Sequence, residues 1–160
     1  AGGKTYYMHQ GDKIKTGEME FTCIFEKETE EERNAHSLVL CSHYKDLHIL
    51  FTGDMGISEE TELLKMAEIK GSIQQEHLKH VQILKTAHHG SKGSSSPAFL
   101  EAMPLKAAFI SYGKDNSYGH PSGQVMEEMK KQNISLYETG GKGAWTLESK
   151  AGNVIIKRAV

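Results

Sequence analysis

The chain has 160 residues, 38% of them hydrophobic and 25% charged, with a formal net charge of -2. That is an ordinary globular balance with enough apolar mass for a real core. No run approaches the roughly 18 apolar residues of a membrane span and no signal-peptide pattern opens the chain, so a soluble piece is expected. Its start, AGGKTYY, carries no initiator methionine, and a piece of a longer protein is the expectation.

From the amino end, TYYMH and MEFTCIF read as strands by their aromatic and β-branched content, joined by a turn-rich QGDKIKTG. The acidic run Glu26 to Glu32 reads as a loop. HSLVLCSH and LHILFTG are apolar runs joined through YKD, a hairpin pattern. A helix is expected after TGDMG, with Ser58 as its cap, Glu59, Glu60 and Glu62 at its positive end and Gly71 as its stop. Leu63, Met66, Ala67 and Lys70 would share one face of it.

HVQILKTA is the next strand. SPAFLEAMP is a short helix capped by Ser96, with Pro97 at its first position. KAAFISYG is a strand, and PSGQVMEEMKKQN a helix whose apolar face is Val125, Met126 and Met129. ISLYET, GAWTLE and NVIIKR close the chain as three strands. Strands first, then strand and helix in alternation, then strands again indicate an α/β layered domain. The two main helices would cover one face of its sheet, while HILF and AAFI look apolar on both faces. Cys23 and Cys41 lie in apolar runs without CxxC spacing and read as free buried thiols.

Three loops carry the chemistry. Asp54 follows an apolar strand in FTGDMG, His88 and His89 follow another in TAHHGS, and Asn116, Tyr118 and His120 follow a third in SYGKDNSYGHP. Loops outside strand carboxyl ends are where α/β sheets bind ligands. A carboxylate and three imidazoles gathered there are a metal-site candidate for Zn²⁺ or Mn²⁺. From His77 to Leu100 there is no acidic residue, while Lys79, Lys85, Lys92 and four histidines occur, which suits an anionic substrate such as phosphate. His9, His36, His43, His48, His77 and His80 lack this context and read as surface or packing residues.

LFTGDMG, ILKTAHHGSKGSSSPAFLE, AAFISYGKDNSYGHPSGQVMEEM and YETGGKGAWTL together resemble the metallo-β-lactamase-fold domain at the C-terminal end of ComEC-type DNA-uptake channel proteins. NAHSLVLCSHYKDLHILFTGD is similar to that family's Asn-x-x-Ser-Leu-Val strand ahead of its Gly-Asp motif, although Ala35-His36 departs from the family's small polar residues. The resemblance runs from about residue 19 to 147. It implies an αββα sandwich with a mixed sheet, a dinuclear metal site, and hydrolysis of phosphodiesters during DNA internalization in bacterial competence. It places the domain on a plasma-membrane protein, on the extracellular side.

Carried over by motif, Asp54 resembles the carboxylate that bridges two metals, and the histidine pair supplies a further ligand, taken as His88. His89 then faces phosphate or stands behind the ligand; the sequence leaves the choice open. His120 and Asn116 resemble substrate-side residues, with His120 suited to protonating a leaving oxygen. The N–H groups around Gly90 and Ser91, with Lys92, are candidates to hold a phosphate.

The fold's defining His-x-His-x-Asp-His motif does not occur in the sequence. The chain is therefore expected to be the second half of such a domain, residues 1–160 forming one partial unit. In isolation it should bind metal weakly or not at all and lack nuclease activity, and it should expose an apolar face or hide it in a homodimer. Two other functions fit: a phosphorylcholine-esterase-like hydrolase of small phosphodiesters, and a non-catalytic module that binds DNA or a partner. No basic stripe interleaved with aromatics appears, so strong single-strand binding by this chain alone is not expected.

Overall fold

A computed structural model describes residues 4–27, 37–150 and 153–159. Most of the acidic run, Asn34, and the Ala35-His36 departure lie outside the described residues. Seven strands form one sheet in chain order. β1 (Lys13–Thr16), β2 (Met19–Phe25), β3 (Val39–Tyr44) and β4 (Leu47–Phe51) pair antiparallel. β5 (Ile83–Lys85), β6 (Ala107–Ile110) and β7 (Ser135–Glu138) then add parallel to β4 and to one another.

The parallel half follows from its connections. α1 (Ile57–Ala67) and α2 (Ile73–Leu78) link β4 to β5, α3 (Pro97–Glu101) links β5 to β6, and α4 (Gly123–Lys131) links β6 to β7. Right-handed crossovers that always step the same way along a sheet put every helix on one face. The pairing register sends Leu50, Leu84, Ala108 and Ile110 to that face, where they join Leu63, Phe99, Leu100, Val125 and Met129 in the core. The expected mixed sheet with helices on one face is what the chain forms, and both cysteines are free and buried.

Ile49, Ile83, Ala107, Ser135 and Tyr137 point to the other face. β8 (Trp145–Lys150) and β9 (Asn153–Arg158) form a separate antiparallel hairpin that lies over part of it. A cavity of about 490 Å³ separates the two layers, bounded by Ile83, Ala107 and Tyr137 on the sheet and Val154 and Ile156 on the hairpin. Phe51 and Leu38 stay 36% exposed.

Five details differ from the sequence reading. Helix α1 ends at Ala67, short of Gly71 and without Lys70. TYYMH forms no strand, and Tyr6 and Tyr7 are largely exposed. The edge strand instead is KIKT, inside the stretch read as a turn; all four of its residues are exposed, so it leaves no burial pattern. Helix α1 is capped by Gly56 rather than Ser58, because the Glu59 carboxylate reaches back to accept the Gly56 N–H at 3.1 Å. Helix α2, unforeseen, is a single short segment whose Ser72 hydroxyl accepts the Gln75 N–H.

Candidate functional site

The carboxyl ends of β4, β5 and β6 open on one edge of the sheet, and their loops are bonded to one another. The His88 N–H donates to the Gly53 carbonyl at 3.0 Å, which ties the Asp54 loop to the histidine pair. The Ser122 N–H donates to the Gly90 carbonyl at 2.8 Å, which ties in the third loop. Gly53 sits at φ 55°, so Asp54 leaves β4 on a sharp corner and is exposed.

His88 and His89 both occupy the left-handed region, at φ 44° and 55°, followed by Gly90 at 78°. For two non-glycine residues in succession that conformation is costly, on the order of 1–3 kcal/mol each, and such strain concentrates at functional sites. Its effect is to turn the two rings apart. The His88 ring meets the His120 ring edge-on at 5.5 Å. The His89 ring reaches the Ser111 carbonyl through Nδ1 at 2.6 Å. A carbonyl only accepts, so Nδ1 carries the proton and Nε2 keeps the other edge of the ring.

His89, Ser111, Tyr112, Asn116, Tyr118 and His120 line a cleft of about 460 Å³. Tyr118, 81% exposed, stacks on His120 at 6.1 Å. The Asn116 side chain is engaged within its own loop: its amide donates to the Gly113 and His120 carbonyls, and its oxygen accepts the His120 N–H at 3.1 Å. It sets the position of His120 through the backbone. Tyr112 donates its hydroxyl to Glu138 at 2.6 Å, and that hydrogen bond pushes the phenol up to about 12.

The loop of Gly90, Ser91 and Lys92 keeps few donors for an anion. The Ser91 N–H goes to the His88 carbonyl and the Ser94 N–H to that of Ser91. The Ser95 and Ser96 N–H groups both go to the buried Glu60 carboxylate from α1. The following helix start is thus already satisfied by Glu60 and by the Ser96 hydroxyl, which accepts the Phe99 N–H. Lys92 is exposed.

Sequence reasoning did not single out Lys85 for this edge. It ends β5, donates to the Thr86 carbonyl at 3.0 Å, and lies close enough to Asp54 to feel its charge. Burial holds its ammonium below the ordinary lysine value, and Asp54 partly offsets this. A lysine closing the otherwise apolar ILK was the available signal. His43, His48 and His80, read as surface or packing residues, pack on one another. The His43 and His48 rings stack at 4.4 Å, and the His48 and His80 rings lie 5.3 Å apart. β3, β4 and the segment around α2 bring them together, and no local sequence spacing shows that.

Oxygen and nitrogen donors at the edge are of the kind Zn²⁺ or Mn²⁺ takes. Among the described residues, however, the one group of three or more donors within 4.8 Å of one another is Cys41, His48 and His77, not a set containing Asp54, His88 or His120. Among the described residues, the edge does not by itself bring three such donors within that distance.

The metallo-beta-lactamase superfamily profile matches residues 24–114, more than half of the chain. The chain belongs to the metallo-beta-lactamase superfamily. Members of this superfamily generally bind divalent metals. The chain is similar to ComE operon protein 3 of Bacillus subtilis (strain 168), 29% identical over 136 residues that cover 84% of this chain and 16% of that protein. It is 32% identical over 110 residues to competence protein ComA of Neisseria gonorrhoeae, covering 69% of this chain and 15% of that protein. Recombination protein 2 of Haemophilus influenzae is 28% identical over 110 residues, 69% of this chain and 13% of that protein. These likenesses agree with the ComEC-type resemblance carried by the motifs. The chain spans about a sixth or less of the length of these relatives. It is a hydrolase-fold domain related to competence proteins, and no helix among the described residues is long and apolar enough to cross a membrane.

Proposed function

We propose that this chain is the C-terminal part of a metal-dependent phosphodiesterase domain that acts on DNA during its internalization in competence, and that it supplies one side of the site. The observation that carries this reading is the bonding of three strand-end loops into one edge, with Asp54, His88 and His120 presented there and a cleft beside them. Asp54 and His88 contribute ligands to a divalent metal site of Zn²⁺ or Mn²⁺ whose remaining ligands come from a segment carrying His-x-His-x-Asp-His. His120 stands on the substrate side and protonates the leaving oxygen, with Asn116 as its positioning residue. His89 faces the phosphate with Nε2. Lys92, with the Gly90 N–H, neutralises a neighbouring phosphate. The parent is a bacterial plasma-membrane protein with this domain on its extracellular side.

The test compares the 160-residue chain with the same chain extended at its amino end by the residues its gene encodes. With Mn²⁺ or Zn²⁺, the extended form should hydrolyse DNA, and Asp54→Asn or His88→Ala should lower its rate by roughly 10²-fold or more. The 160-residue chain should show no turnover and no tight metal uptake at Asp54. Turnover by the shorter chain, or full activity in extended Asp54→Asn, would overturn the reading. Preference for small choline phosphodiesters over DNA would select the esterase function instead. DNA binding with no hydrolysis by the extended form would select the non-catalytic module.

A further inference from the structure

We propose that Cys41, His48 and His77 form a separate, structural binding site for a zinc-class divalent ion on the helix side of the sheet. One donor atom from each lies within 4.8 Å of the others. Zn–S and Zn–N bonds of about 2.3 and 2.0 Å at a tetrahedral angle need donors about 3.5 Å apart, so closing the trio on an ion takes small side-chain movements only. The trio is built by three elements at once. Register sends Cys41 and His43 of β3 and His48 of β4 to the same face as Leu50, and α2 brings His77 over them.

The site is distinct from the strand-end edge. His48 stands near the amino end of β4, whereas Asp54 lies beyond its carboxyl end, and the strand from His48 to Phe51 alone spans about 10 Å.

One observation favours an ion over simple packing. His48 Nδ1 is buried and has no hydrogen-bond partner among the described residues, which is rare for a native polar atom and leaves that nitrogen open to a ligand. Imidazole coordinates in its neutral form. Cys41 is fully buried. Coordination forms the S–metal bond and releases the thiol proton to solvent. One thiolate with imidazoles selects Zn²⁺ or Co²⁺ over Mg²⁺ and Ca²⁺. The rings of His43 and His80, beside that of His48, offer the fourth position.

Co²⁺ alone is the probe, added to the metal-stripped 160-residue chain and read by absorption. A thiolate-to-cobalt charge-transfer band should grow and saturate near one equivalent, and Zn²⁺ should bleach it by displacement. Cobalt at the Asp54 edge gives no such band, because none of the residues placed there is a cysteine, so Asp54→Asn should leave the band unchanged. Cys41→Ser should abolish it. Because Cys41 is buried and its variant can fail to fold, His77→Ala on the half-buried α2 is the second variant, expected to weaken cobalt binding at least tenfold with unchanged far-ultraviolet dichroism. Absence of the band at large cobalt excess, or a band of full strength in His77→Ala, would overturn the proposal. Failure of the phosphodiesterase reading would leave it standing.

Discussion

A Cβ at Gly140 would fall inside the ring of Tyr112, so the cleft wall depends on a position with no side chain. Thr139 locks the same junction, its hydroxyl accepting the Tyr112 N–H and donating to the Tyr112 carbonyl. Gly140→Ala should therefore swing Tyr112 off Glu138 and cost about 1–3 kcal/mol, read as a lower urea midpoint. Gly90 is under tighter constraint: φ is 78°, and an added Cβ would meet the Pro121 Cβ at 2.9 Å. Gly90→Ala should cost more, about 2–4 kcal/mol by equilibrium unfolding, since strain and overlap add. A loss below 0.5 kcal/mol would mean, by the rule that ordinary surface changes cost about that much, that the two loops are not packed as described. At this scale the sequence was informative where chemistry is local. Asp54, His88, His89 and His120 follow apolar strands and could be found one by one. The roles of Gly140 and Glu60 could not, because each acts on a residue at least 28 positions away that only the sheet order brings near.

Elements were legible in proportion to what they bury. β3, β4 and β6 are apolar runs and α4 carries an apolar face, as burial requires, and they stand where the pattern put them. β1 buries nothing and was read as a turn; it is held by backbone pairing to β2 and by Lys13 and Lys15, both on the Glu20 carboxylate at 2.8 and 2.9 Å. Those two lysines hold Glu20 down at about 2, through their hydrogen bonds, from an ordinary 4.5. A carboxyl depressed in the folded state lends stability that is complete above about pH 4.5 and disappears as pH falls toward 2. The pair is exposed, so the amount is under about 1 kcal/mol and is local to the edge. Amide exchange of Ile14 and Thr16, normalised for intrinsic rates, should accelerate between pH 4.5 and 2 relative to β3. Glu20→Gln should give the fast rate at neutral pH, and high salt should narrow the difference. Equal protection in the variant and the parent would show that backbone pairing alone fixes β1.

At the scale of the molecule the two sheet faces are unequal. Every buried core residue described lies in β2 to β6, the helices or their connections, and none comes from β8 or β9. Among the described contacts that join the hairpin to the sheet, Trp145 meets Tyr137 edge-on at 5.1 Å, and its indole N–H donates to the Glu138 carbonyl at 2.8 Å. Val154 and Ile155 remain 41% exposed, and the cavity beneath forfeits contacts on both walls. Sequence patterning identified both strands of this hairpin but not its seat, since apolar residues of a two-stranded ribbon do not reveal which surface they meet. Regions with few buried contacts open below the global unfolding free energy. The hairpin should accordingly leave the sheet before the sheet unfolds. Trp145 is the chain's single tryptophan, so its fluorescence reports that step alone, while far-ultraviolet dichroism follows the helices. In urea the emission should shift red at a lower midpoint than the loss of dichroism. Tyr137→Leu, which removes the ring that Trp145 meets, should lower the first midpoint and leave the second nearly in place. Coincident transitions for both probes in both proteins would show that the hairpin and the seven-stranded sheet unfold as one cooperative unit.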